Sequence, residues 1–170
     1  MIIRPETAGD AAEIRQVVTA AFATAPHSSG TEAAIVEALR SAGALSLSLI
    51  AEDDGEVIGH IAFSPVQIDG REDGWLGLGP VAVRPDRQQR GIGAALINEG
   101  LARLRAEGAK GCVLLGDPDY YRRFGFVSDD HLRYGDVPPG YFQWLSFTDT
   151  RPYGEVQYHP GFAASDDTPR

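Results

Sequence analysis

Residues Val81 to Ala94 read Val-Ala-Val-Arg-Pro-Asp-Arg-Gln-Gln-Arg-Gly-Ile-Gly-Ala. This order predicts a strand that enters a glycine-rich turn, and the turn opens a helix. The first N–H groups of a helix lack intrahelical partners and sit at the positive end of its dipole. Such a start is an anion site, with phosphate its commonest guest. Gly91 and Gly93 carry no side chain, so the backbone can approach a phosphate closely. Arg87 and Arg90 can add charge-assisted hydrogen bonds, and Gln88 can cap the turn or touch a diphosphate. The glycines alone describe a plain tight turn equally well. No Gly-Lys-Ser/Thr follows them, which excludes a P-loop. The two glycines and the absence of a repeated βαβ order disfavour a dinucleotide fingerprint.

The elements that position this turn follow from apolar spacing. Ile2 to Pro5 predicts a short strand. Thr7 and Asp10 make a near match to a capping box for a helix bearing Ile14, Val17, Val18 and Phe22. A polar loop, His27 to Gly30, precedes a second helix with Ile35, Val36 and Leu39 on one side. Leu45 to Glu52 and Glu56 to Pro65 predict a hairpin turned at Asp53-Asp54-Gly55. Trp75 to Val83 is a long strand interrupted by Gly79-Pro80. Proline cannot donate to a ladder, so a bulge or splayed edge is expected there. A helix from Gly91 to Glu107 carries Ile92, Leu96, Ile97, Leu101 and Leu104, and Gly108 ends it. Cys112 to Leu115 is a short buried strand. Pro118 opens another helix bearing Tyr120, Tyr121 and Phe124. Tyr141 to Phe147 and Glu155 to Tyr158 complete the set as two strands. Residues 1–164 form one domain, and Ser165 to Arg170 read as a disordered tail.

A length of 170 residues suits one domain with a real core. The net charge of −9 argues against a nucleic-acid partner, which needs clustered Lys and Arg. An anionic ligand can still be held by local donors; the acidic balance mildly favours a cationic or amine substrate but reads first as a charge that serves solubility. Cys112 is the only cysteine, so no internal disulfide forms. That and the lack of a secretory signal predict a cytoplasmic protein. No apolar run reaches the roughly 20 residues that span a bilayer, and no Cys/His cluster has metal-ligand spacing.

Val83 to Leu96 resembles the acyl-CoA signature of the GNAT superfamily of N-acetyltransferases. Tyr120-Tyr121-Arg122-Arg123-Phe124-Gly125-Phe126 is similar to a second hallmark of that family, Tyr-x-x-x-Gly-Phe. The order β-α-α-β-β-β-α-β-α-β-β also matches, so the resemblance covers nearly the whole chain. It implies a three-layer α/β fold: a mixed, mostly antiparallel seven-stranded sheet, helices on both faces and splayed central strands. It implies acetyl-CoA as cosubstrate and transfer of its acetyl group to an amine. Val81 and Val83 would pair with the pantetheine arm through their backbone. The N–H of Ala82 or Val83 would polarise the thioester carbonyl. Gln88, Gln89, Arg90, Gly91, Ile92, Gly93 and Ala94 would hold the pyrophosphate. Tyr121 matches the position of the acid that protonates the departing thiolate.

The base is open. Some family members carry a glutamate on the strand here read as Trp75 to Leu78, which has no carboxylate. Glu32, His27, His60 and Asp73 are candidates by type alone, with His60 expected as a satisfied, half-buried strand residue. The missing carboxylate supports an alternative, a non-catalytic acyl-CoA-binding or sensing module. The acceptor is a small-molecule or protein amine, and a C-terminal edge strand is a surface on which two copies can pair.

Overall fold

Strand β3 (Glu56–Ile68) organises the molecule, because its two faces serve different helices. The computed structural model describes residues 1–26 and 28–166. The sheet also contains β1 (Ile2–Pro5), β2 (Leu47–Asp53), β4 (Trp75–Val83), β5 (Gly111–Leu115), β6 (Leu132–Arg133), β7 (Phe142–Ser146) and β8 (Gly154–Tyr158). The order β1-β2-β3-β4-β5-β7 forms the main path, and β8 pairs with the far end of β3 and with β6. Seven strands are expected from the sequence, and the sheet has eight. The addition is β6, whose two residues are too few to show a period.

The helices cover both faces. Helix α3 (Ile92–Ala106) packs Leu96, Ile97 and Leu101 against Leu49, Ile61, Phe63 and Leu114. Each such fully buried side chain contributes about 2 kcal/mol of hydrophobic stabilisation. Gly100 allows the close approach, since a Cβ there would overlap the Phe63 ring. Helices α1 (Ala11–Phe22) and α2 (Glu32–Ser41) cover the opposite face, with Ile14, Val17, Val18 and Val36 over Ile50, Val57 and Ala82. The start of α1 is tied to the sheet. Arg4 donates to both oxygens of Asp10, at 2.8 and 3.1 Å, and to Glu52 at 3.1 Å. The guanidinium holds the Asp10 carboxyl well below the usual range.

The site is prepared by a defect in the sheet. Ile61 pairs with Val81 and Phe63 with Leu78, so Gly79 and Pro80 of β4 stand opposite Ala62 alone. The extra residue is a bulge, and the Gly79-Pro80 bond is cis. On its other side β4 runs parallel to β5 only from Trp75 to Gly77, paired with Gly111 to Val113. Beyond Gly77 the two strands part. At the C-terminus Asp166 pairs with Arg15 at 2.7 Å, and the rest of the expected tail, residues 167–170, lies outside the described residues.

Candidate active site

The parted strands leave the outer edge of β4 open. Past the bulge, residues 81–83 pair with β3 on one side, and among the described residues the stretch 79–83 pairs with no strand on the other. Val81 and Val83 are half-buried and Ala82 is buried. An open strand edge presents unpaired N–H and C=O groups to any extended chain. The Gln88 amide folds back and donates to the Val83 carbonyl at 3.0 Å.

The edge leads through a short 3-10 turn, Pro85–Arg87, to the start of α3. Gly91 is the N-cap residue with φ +79°, and Gln89 also has a positive φ of 63°. These two left-handed residues reverse the chain so that the helix N-terminus faces back toward β4. The Ala95 N–H bonds the Gly91 carbonyl at 3.0 Å. The amides of Ile92, Gly93 and Ala94 therefore have no intrahelical acceptor. A Cβ on Gly91 would have nothing within 4 Å, and one on Gly93 would lie 3.7 Å from Val83 and 3.8 Å from the Tyr120 hydroxyl. Of the nearby cations, Arg87 donates to Asp53 at 2.7 Å, and Arg84 is held by Asp86 and Glu56. Arg90 is exposed and forms no ion pair among the described residues.

The opposite wall comes from α4 (Pro118–Tyr121) and the turn that follows it. Asp117 caps α4 by accepting from the Asp119 N–H at 2.9 Å. The rings of Tyr120 and Tyr121 meet edge to face at 5.0 Å, and Arg123 lies 4.4 Å over the Tyr120 ring. The two tyrosines diverge. Tyr120 sends its hydroxyl toward Gly93, while the Tyr121 ring lies against Gly116 at the end of β5. Burial pushes the Tyr121 phenol up to about 12, with Tyr120 adding to the shift.

Gly116 is a site residue that sequence reasoning missed. A Cβ there would stand 2.5 Å from Tyr121 Cε2, so the ring keeps its seat only because the residue is glycine. Its φ is not left-handed, and no turn pattern marks it. Gly116→Ala is expected to displace the Tyr121 ring and, through that overlap, to lower stability by about 1–3 kcal/mol. Urea unfolding, measured beside the near-ultraviolet tyrosine signal, checks both effects.

The base candidates scatter. Asp73 pairs with Lys110 at 2.8 Å just before β4 begins, at the end away from the bulge. Glu32 accepts the hydroxyls of Ser28 and Ser29 at 3.0 and 3.3 Å. His27 lies outside the described residues. His60 is not half-buried as expected but completely enclosed, at 0% exposure. Its strand neighbours on both sides are covered by α1 and α2, which sequence alternation alone does not reveal.

His60 belongs to a polar chain through the core. Arg40 donates to both Glu6 oxygens at 2.9 and 3.0 Å, Ser48 donates to Glu6, and Ser48 Oγ lies 2.8 Å from His60 Nε2. The Arg40 guanidinium and the Ser48 hydroxyl hold the Glu6 carboxyl low despite its burial, so it only accepts. The single Ser48 proton goes to Glu6, so His60 must carry its own proton on Nε2. Nδ1 then has no partner. Burial lowers the ring pKa to about 4, so His60 stays neutral and shut away from any acceptor. An unfolded imidazole takes its proton near about 6.5. The unfolded state thus binds more protons below that pH. His60-linked stability is complete above about 6.5 and is lost as pH falls toward about 4, with an upper magnitude of about 3 kcal/mol. Urea unfolding at stepped pH from 7 to 4 measures it; a flat profile contradicts the assignment.

Comparison with known proteins agrees with this geometry. The model of the Acetyltransferase (GNAT) family matches residues 12–126. The uncharacterized N-acetyltransferase YhbS of Escherichia coli is 42% identical over 132 residues, covering 77% of this chain and 76% of that protein. A GNAT family acetyltransferase from Brucella melitensis, solved in complex with acetyl-CoA, is 57% identical with a TM-score of 0.86 over 95% of this chain and 97% of that one. The E. coli YhbS structure in complex with CoA has a TM-score of 0.87 and 37% identity, over 95% and 91% of the two chains.

Proposed function

Because the chain belongs to the GNAT acetyltransferase family, we propose that it transfers an acetyl group from acetyl-CoA to a primary amine by direct attack on the thioester. The observation that carries this reading is the open edge of β4 at residues 79–83, which runs into the free N-terminus of α3. An extended pantetheine arm suits the first, and a pyrophosphate suits the second.

The backbone of Val81 and Val83 pairs with the arm, and an N–H of Ala82 or Val83 polarises the thioester carbonyl. The Gln88 amide yields the Val83 carbonyl as the arm enters. Gln88, Gln89, Arg90, Gly91, Ile92, Gly93 and Ala94 hold the diphosphate. The neutral amine attacks the carbonyl carbon, an N–C bond forms, and the C–S bond breaks with its electron pair on sulfur. Tyr121 donates a hydrogen bond to that sulfur. The proton lost by the amine passes into water, and water returns a proton to the thiolate, which leaves as the thiol.

A broad panel of primary amines, assayed with acetyl-CoA for free thiol and for acetylated product by mass, tests the proposal. Amine-dependent thiol release is expected. Tight coenzyme A binding with no transfer to any amine would overturn it. That result would favour an acyl-CoA-binding or sensing module, the second reading that the carboxylate-free β4 supports.

A further inference from the structure

Gly93 is the second residue of α3, and the space above it is bounded from two sides. A Cβ added there would come nearest to Val83 Cγ2, at 3.7 Å, and to the Tyr120 hydroxyl, at 3.8 Å. Val83 ends β4, and Tyr120 belongs to α4. The start of α3 therefore lies in a passage between these two elements, and the missing side chain keeps it clear.

The Tyr120 hydroxyl reaches this passage without a partner. It forms no hydrogen bond among the described residues. The nearby carboxylates are engaged elsewhere: Asp117 accepts the Asp119 N–H at 2.9 Å, and Asp119 lies 3.7 Å from the Arg122 guanidinium. The ring itself is fixed. Its centroid is 5.0 Å from that of Tyr121 and 5.5 Å from that of Phe124, both edge to face. Arg123 lies 4.4 Å over it and donates to the Tyr120 carbonyl at 2.8 Å. A phenol held this way loses little rotamer freedom when a ligand takes its hydroxyl. The passage also needs donors, because Arg84 and Arg87 are tied to Asp86, Glu56 and Asp53.

We propose that Tyr120 is a further binding residue of the anion site, and that its hydroxyl donates to the diphosphate of coenzyme A across the start of α3. This rests on the acyl-transfer reading above, which brings a diphosphate to that helix end. The amides of Ile92, Gly93 and Ala94 meet the diphosphate from α3, and the phenol meets it from α4. A neutral O–H bound to an anionic oxygen makes a charge-assisted hydrogen bond, and the phenol keeps its proton. The two adjacent tyrosines then serve different parts of the cosubstrate: Tyr120 the phosphate, Tyr121 the sulfur.

Calorimetric titration of Tyr120→Phe with coenzyme A, dephospho-coenzyme A and pantetheine tests this. The first two carry the diphosphate, and pantetheine carries no phosphate. Phenylalanine keeps the ring and its stacking, so the variant should fold, and an unchanged melting temperature confirms it. The dissociation constants of coenzyme A and dephospho-coenzyme A are each expected to rise about tenfold, with that of pantetheine unmoved. Wild-type affinity for all three ligands would overturn the inference alone. An equal loss for pantetheine would also overturn it, by placing the hydroxyl on the arm. So would a loss for coenzyme A without one for the dephospho form, which would place it on the 3′-phosphate. Absence of coenzyme A binding by the unsubstituted protein would overturn the acyl-transfer reading and this inference with it.

Discussion

Gly91→Glu is expected to weaken coenzyme A binding by on the order of 100-fold while leaving the protein folded. The reasoning separates charge from shape. Gly91 sits at φ +79°, and a Cβ added to it meets nothing within 4 Å. Steric overlap is therefore not the mechanism. The left-handed backbone costs a side chain about 1 kcal/mol of stability. The larger effect comes from a carboxylate placed where an incoming diphosphate must sit. Two like charges about 4 Å apart repel by about 4 kcal/mol at an effective dielectric of about 20, and salt and solvent reduce this. Gly91→Ala carries the backbone cost without the charge. It should lower stability by about 1 kcal/mol and raise the coenzyme A dissociation constant by less than about tenfold. Calorimetric titration of both variants decides the matter. Equal losses for Ala and Glu would mean that backbone shape, not anion binding, is what Gly91 supplies.

Tyr121→Phe is expected to lower kcat by about 10- to 100-fold with little change in the KM for acetyl-CoA. The size follows from the tyrosine's surroundings. Burial pushes its phenol up to about 12. A free thiol has a pKa near about 8.5, so outright proton transfer from Tyr121 to the departing thiolate is uphill by about 5 kcal/mol. A hydrogen bond to the developing charge needs no such transfer, and bonds to charged groups contribute about 1.5–3 kcal/mol. On the proposed mechanism, Tyr121 acts as a donor that stabilises sulfur more than as a full acid. The sign of the pH dependence follows. The donor form is the protonated phenol, and its raised pKa keeps it protonated across the ordinary range. The Tyr121-dependent part of kcat should show no falling limb below about pH 11. A Phe variant with wild-type kcat would remove Tyr121 from the mechanism, and a limb near pH 9 would point to another group.

Gly116 and Tyr121 form a pair for such measurements. If Gly116→Ala acts only by moving the ring, then adding it to Tyr121→Phe should cost little more in kcat. Contacting residues are where additivity fails.

The glycine turn and the open helix start were readable because their information is local. Gly91, Gly93 and the polar residues before them lie within a few positions of one another, and the turn they make depends on their own backbone freedom. The Gly79-Pro80 interruption announced a bulge for the same reason, since proline's missing N–H acts wherever it is placed. The Tyr120 to Phe126 segment was also recognisable as a unit. The seat of Tyr121 draws on two separate elements: Gly116 matters only because the Tyr121 ring folds over it.

His60 marks the boundary most clearly. Its residue type and its place in an alternating strand were visible, and both suggested a half-buried side chain. Its enclosure depends on α1 and α2 closing over that face. Its tautomer depends on Ser48, Glu6 and Arg40, which three separate elements deliver. The sequence by itself determined the glycine turn before α3, the broken strand and the family to which the chain belongs, because each rests on short-range backbone geometry. The tertiary structure alone decided which titratable groups are shut away and which glycine seats the tyrosine. Burial is a property of the neighbours a residue acquires, and those neighbours are set by non-local packing.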